Sequence, residues 1–100
     1  MNFSALIGIG CAHFKAARYE ECAIWAAKGV AERPSAVWAH RVLASAYAHL
    51  GWLDEARHEV SVLLTAVPDA TVSAIVNLLP NDPEYVARFA DGLRMAGLPE

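Results

Sequence analysis

Slid against itself by 34 residues, the chain matches in kind at eight positions. Tyr19 falls on Leu53, Glu20 on Asp54, Glu21 on Glu55, Cys22 on Ala56 and Pro34 on Pro68; upstream, Ile9 falls on Leu43, Gly10 on Ala44 and His13 on Tyr47. Apolar meets apolar, small meets small, acid meets acid and proline meets proline. A period of this length marks a supersecondary unit that buries its apolar face only by stacking on a neighbour. The chain then divides into one unit at about 1–34, a second at about 35–68, and a degenerate third unit or cap at about 69–100, within a single domain.

Each unit reads as two helices. In the first, helix A runs from about Asn2 to Lys15, with Phe3, Leu6, Ile9 or Gly10, and His13 on one stripe. Ala17-Arg18 makes a turn, and helix B runs from about Tyr19 to Glu32. Pro34 stops it and pushes Arg33 out of helical geometry. In the second unit Ser35 is expected to cap a helix over about Ala36–Leu50. Gly51 supplies the helix-ending turn, and helix B spans about Leu53–Ala66 until Pro68. Gly10 with Cys22, and Ala44 with Ala56, are expected where the two helices of a unit cross, because side chains this small allow close approach. In the third unit Asp69 is expected to cap a helix over about Ala70–Leu79. Asp82, with Pro83 at the favoured first position, caps a last one carrying Val86, Phe89 and Leu93 on a stripe and a Glu84–Arg88 pair. Gly97 and Pro99 end it.

Composition narrows the function classes. The chain is 56% hydrophobic and only 19% charged, far from a disordered composition. A net charge of −3 without a Lys/Arg cluster argues against a nucleic-acid surface. No run of apolar residues is long enough to span a membrane. Met1-Asn2-Phe3-Ser4 lacks the basic start of a secretory signal, so the location expected is cytoplasmic, subject to whatever precedes Met1. A start that falls directly into a helical pattern suggests a piece of a longer protein. Cys11 and Cys22 read as small buried or groove thiols of a reduced protein rather than a disulfide scaffold.

No residues assemble into a catalytic or metal pattern. His13, His40, His49 and His58 show neither ligand spacing nor a Cys/His cluster. His13 takes a packing position, His49 lies near a helix end and His58 faces water. Asp54-Glu55 with Arg57, His58 and Glu59, and likewise Glu20-Glu21, read as solvated first turns at positive helix ends rather than an acid/base group. Cys11 and His13 diverge on their helix. Gly8-Ile9-Gly10 lies inside a helical pattern and is not a phosphate loop. The chain is therefore expected to be no enzyme in itself and to need no cofactor.

Small residues at the crossing, an aromatic three positions on and a closing proline, at a period of 34, resemble the tetratricopeptide repeat. Leu43, Ala44, Tyr47, Gly51, Ala56 and Pro68 carry the match in the second unit; Ile9, Gly10, Cys22 and Pro34 carry it in the first. His13 replaces the usual aromatic, Ala17 the turn residue, and Leu6 and His40 stand where the consensus tryptophan would. The resemblance implies an all-α, α-α superhelix whose A helices line a groove for a protein or peptide partner. Carried over by position, the groove residues are Ile7, Cys11, Phe14 and Lys15, then Trp38, Arg41, Ser45 and His49, then Val72, Ile75 and Leu79. Ile7, Cys11, Arg41 and Ser45 do not make a carboxylate clamp; Trp38 with Arg41 is the expected hot spot.

The ending Tyr85-Val-Ala-Arg-Phe-Ala-Asp-Gly-Leu-Arg-Met-Ala-Gly-Leu-Pro-Glu100, with the joint Leu79-Pro80-Asn81-Asp82-Pro83 before it, resembles the C-terminal tail of bacterial, chiefly alphaproteobacterial, class III adenylate/guanylate cyclases. This implies a regulatory or scaffolding module that binds a partner protein, docks on its own cyclase domain or self-associates. Two other expectations stand beside it. One is a structural spacer whose groove is filled by its own last helix through Phe89 and Leu93. The other is a small ligand-binding helical bundle, which would need convergent polar groups.

Overall fold

Asn2 opens the first helix: its side-chain oxygen accepts the Ala5 amide at 2.9 Å, satisfying a donor that has no partner within the helix. The structure, a computed structural model, describes residues 2–100. These form α1 (Phe3–Lys15), α2 (Tyr19–Glu32), α3 (Val37–His49), α4 (Leu53–Ala66), α5 (Val72–Val76) and α6 (Pro83–Met95), with no strand among the described residues. The fold is all-α.

The sequence period reappears in the backbone. Each terminus of α3 and α4 lies 34 residues after its counterpart in α1 and α2: Phe3 to Val37, Lys15 to His49, Tyr19 to Leu53, Glu32 to Ala66. The turns agree as well. After α1, the Arg18 amide donates to His13 O and the Ala17 amide to Phe14 O; after α3, Trp52 donates to Tyr47 O and Gly51 to Ala48 O. Both are Schellman closures, which put one residue in the left-handed region. Gly51 takes it at φ 81°, and Ala17, without glycine's freedom, takes it at φ 60°.

Helix α1 packs on α2, α2 on α3 and α3 on α4. Small residues set the crossings. A Cβ added at Gly10 would lie 3.5 Å from Ala26 N and Cys22 O, while Cys22, Ala44 and Ala56 are fully buried. His40 ties the second hairpin together. Its Nε2–H donates to Pro34 O at 2.7 Å, and its Nδ1 lies 2.5 Å from Glu59 Oε2 on α4. Both side chains are buried, so this hydrogen-bonded pair links α3, α4 and the preceding turn.

Two expected caps are corrected. Ser35 does not cap α3; the N-cap is Ala36, with no side-chain bond. The Ala36 amide donates to Arg33 O, so Pro34-Ser35 are the central pair of a tight turn and the cap position falls one residue later. The same turn recurs at Val67–Ala70, which places Asp69 inside it and leaves Thr71 to cap α5 by accepting the Ala74 amide at 3.1 Å. Helix α5 is also shorter than the Ala70–Leu79 expected. Beyond Val76 the bonds tighten to Leu78 N–Ile75 O and Leu79 N–Val76 O, and Pro80 bars a further helical turn. Asp82 caps α6 as expected, accepting the Tyr85 amide at 3.3 Å with Pro83 at the first position.

A left-handed alanine costs roughly 1–2 kcal/mol, partly offset by the lower unfolded-state entropy of alanine relative to glycine, about 0.5–1 kcal/mol. Ala17→Gly is therefore expected to raise the unfolding free energy by about 0.5–1 kcal/mol, and Gly51→Ala to lower it by a similar amount. Urea unfolding of both variants checks this; an Ala17→Gly protein less stable than wild type contradicts it.

Candidate functional site

Helix α6 crosses α3 on the face that carries Trp38, Ser45 and His49. Gly92 makes the crossing possible: a Cβ there would lie 2.8 Å from Ser45 O and 2.9 Å from Ser45 Cα. Ser45, itself fully buried, donates its hydroxyl to Phe89 O at 3.0 Å, and His49 Nε2–H donates to Arg88 O at 2.6 Å. Arg88 then reaches the C-terminal end of α1. Its Nη1 donates to Phe14 O at 2.9 Å and to the Tyr19 hydroxyl at 3.0 Å, and its Nη2 donates to Lys15 O at 2.8 Å. The last carbonyls of a helix lack intrahelical donors and carry its negative pole, so a guanidinium is the complementary group.

Phe14 sits at the centre of the contact. It is fully buried, with Tyr19, His49, Tyr85 and Phe89 at centroid distances of 5.2, 5.8, 5.6 and 5.3 Å. Tyr19 and His49 stack face to face at 4.5 Å, and Trp38 stacks on Phe89 at 6.4 Å. Four helices thus contribute rings to one cluster. Burial pushes the thiol of Cys22 up to about 12, with a smaller contribution from Cys11. Burial also raises Cys11, against weaker lowering contacts from Tyr85 and Trp38. Burial, then the neighbouring Cys11, raises the Tyr85 phenol. The thiols, both free, therefore have little nucleophilic thiolate character.

The tail is fixed by its own residues. Leu93 is fully buried and Leu98 nearly so, and Gly97 turns the chain at φ 95°. Arg94 Nε binds both Glu100 carboxylate oxygens at 3.0 and 2.9 Å. The main-chain oxygens of Pro99 and Glu100 accept the Val72 and Ser73 amides, so the tail closes the open end of α5.

What α6 leaves uncovered is a cleft along α1. One part is lined by Phe3, Ser4, Ile7, Gly8, Cys11 and Trp38, the other by Cys11, Ala12, Lys15, Pro80, Asp82 and Tyr85. The first part holds about 290 Å³ and the second about 200 Å³, at or below the roughly 300–1,000 Å³ of small-molecule pockets. Each takes a side chain or two rather than a large cofactor. The Arg33 guanidinium lies over Phe3 at 4.9 Å and that of Arg41 over Trp38 at 5.8 Å. Arg41 Nε is buried without an acceptor, and burial pulls the group below its ordinary value. Across the far end, Lys15 pairs with Asp82 at 3.3 Å.

The residues expected to line one groove thus divide. Phe14, Ser45 and His49 lie under α6, and Val72 and Ile75 are buried. Leu79 is half-buried, and Ile7 packs chiefly on Gly29 of α2 while touching the cleft edge. Cys11, Lys15 and Trp38 line the cleft, with Arg41 stacked on the last. His58 is exposed, and no group of three or more His, Cys, Asp or Glu among the described residues is placed to hold a metal. Arg88 and Gly92 are site residues that no motif or spacing in the sequence marks. The i, i+4 spacing of Arg88 to Glu84, which spans 3.9 Å, signals only a surface pair, and Gly92 lies in the tail without a turn signal of its own. No family model matches the chain, and no curated protein or solved structure is significantly similar to it.

Gly92→Ala should force α6 off α3 and cost on the order of 3 kcal/mol, the upper range for an overpacked site. Arg88→Met should cost about 2–3 kcal/mol, as expected for losing charge-assisted bonds at a largely buried site. Thermal and urea unfolding read both, with Arg94→Met, which removes a solvent-facing ion pair, expected close to wild type. Wild-type stability in Gly92→Ala would contradict the crossing.

Proposed function

We propose that this chain is a non-catalytic protein-interaction or scaffolding module, built as a tetratricopeptide-like α-α superhelix. On this reading it forms the C-terminal part of an adenylate/guanylate cyclase-type protein. The observation that carries the repeat reading is the common 34-residue offset of helix ends, Schellman turns and proline turns in the two hairpins. The cyclase part rests on the likeness of the Leu79–Pro83 joint and the Tyr85–Glu100 tail. The binding surface is the α1 cleft, where Trp38 and Arg41 supply the residue types enriched at hot spots. The thiols are held protonated by burial, and His40 and His49 are both engaged in structural hydrogen bonds, which favours binding over catalysis.

The burial of Phe89 and Leu93 against α3, with Arg88 fastened to α1, favours a second reading, a structural spacer whose groove is self-occupied. Gly8 separates the two. It is exposed, lines the cleft, and a Cβ there meets nothing within 4 Å. Gly8→Gln should therefore block the cleft while stabilising α1 by about 0.5–1 kcal/mol through helix propensity. Random short peptides displayed on phage are selected on the immobilised chain. Enriched peptides that bind Gly8→Gln at least about tenfold more weakly, about 1.4 kcal/mol, support the interaction module. No enrichment, or binding unchanged by Gly8→Gln, favours the spacer.

A further inference from the structure

Among the described residues, Lys15, Arg57, Arg88 and Arg94 each lie against a carboxylate, and Arg18 donates to the His13 ring. Lys28, Arg33 and Arg41 have no carboxylate partner there, and each rests on an aromatic ring instead. Two of the three stand on the rings that line the open cleft: Arg33 on Phe3 and Arg41 on Trp38. In the part of the cleft that Phe3 and Trp38 line, no acid balances them; Ser4, Ile7, Gly8 and Cys11 are neutral or apolar, and the acid at the far end, Asp82, pairs with Lys15. Arg41 Nε, like Arg88 Nε, is buried without an acceptor, so stacking on Trp38 rather than a hydrogen bond through that atom holds the Arg41 guanidinium. Neither arginine lines the cleft itself, but the rings they rest on do, so an apolar floor has two uncompensated positive charges beside it.

We infer that the α1 cleft takes an acidic, apolar-anchored segment of a partner protein, an apolar side chain seating between Phe3 and Trp38 and a carboxylate pairing with Arg41, with Arg33 as the second positive contact. The inference rests on the interaction reading above and names the chemistry of its partner. A nucleic-acid backbone fits less well: two arginines on a chain of net charge −3 cannot offset a run of phosphates. Carboxylate recognition is also what a partly desolvated guanidinium does best, because charge-assisted bonds strengthen where water is excluded. The Lys15–Asp82 pair closes the other end of the cleft and leaves the acid-binding end at Arg33 and Arg41.

The phage selection tests this by composition. Peptides enriched on the wild-type chain should carry Asp or Glu beside a large apolar residue. A synthetic copy of an enriched peptide should bind Arg41→Gln and Arg33→Gln at least about tenfold more weakly, and should weaken with added salt as a charge contact does. Its copy with Asn and Gln for every acid should weaken equally. Both variants remove cations that lack a carboxylate partner, so unfolding midpoints near wild type confirm that the fold is kept. Enriched peptides that are neutral or basic, or acidic ones that bind both variants as tightly as wild type, overturn the inference. If such peptides are still blocked by Gly8→Gln, the interaction reading survives alone. No enrichment at all overturns both.

Discussion

The guanidinium of Arg88 closes the C-terminal end of α1, and the placement of α6 depends on it. One side chain satisfies the carbonyls of Phe14 and Lys15 and the hydroxyl of Tyr19, while its own carbonyl accepts from His49. That brings Phe89 and Tyr85 onto Phe14, and so joins rings from α1, α2, α3 and α6. Polar bonds of this kind contribute modestly in net terms, about 1 kcal/mol each for neutral pairs and more for charged ones. Their larger effect is on geometry. Phe14 O also accepts the Ala17 amide and the Lys15 bond is solvent-exposed, so the guanidinium acts chiefly by directing where α6 sits on the end of α1.

The two hairpins are near copies in backbone, yet the chain finishes them differently. Gly51 takes the left-handed turn freely where Ala17 is strained into it. The second hairpin also carries the buried His40–Glu59 pair, which the first has no counterpart for: Leu6 and Trp25 occupy the equivalent positions. Buried pairs are weak evidence of net stability, but they fix which partner lies opposite which. Helix α6 packs on the first helix of this second hairpin, which also lends Trp38 to the cleft along α1.

Helix ends were legible to within a residue or so where proline or the 34-residue echo marked them, as at Tyr19–Glu32 and Leu53–Ala66. Caps were less so. Ser35 and Asp69 are good capping residues by type, but the proline turn uses them as its centre, and only main-chain bonding reveals that. The stripe Val86, Phe89, Leu93 announced that α6 buries one face; it could not say against what, since an apolar stripe carries no address. The address lies in polar detail, in Ser45, His49 and Arg88 meeting main-chain oxygens, and no spacing rule foretells such contacts. Trp38 and Arg41 emerged from both routes as neighbours, but that Arg41 is left without an acceptor is visible only once the fold around it is known.

The central claim is that α6 belongs to the cooperative core through its anchorage on α1 and α3. Native-state hydrogen exchange tests it most directly, because it reads the free energy of each opening separately. Amides of α6 around Phe89 to Leu93 are expected to exchange only with global unfolding, at the same opening free energy as Leu43 and Ala44 in α3. Exchange of the α6 amides through a local opening well below the global value, with α3 still protected, would contradict the account.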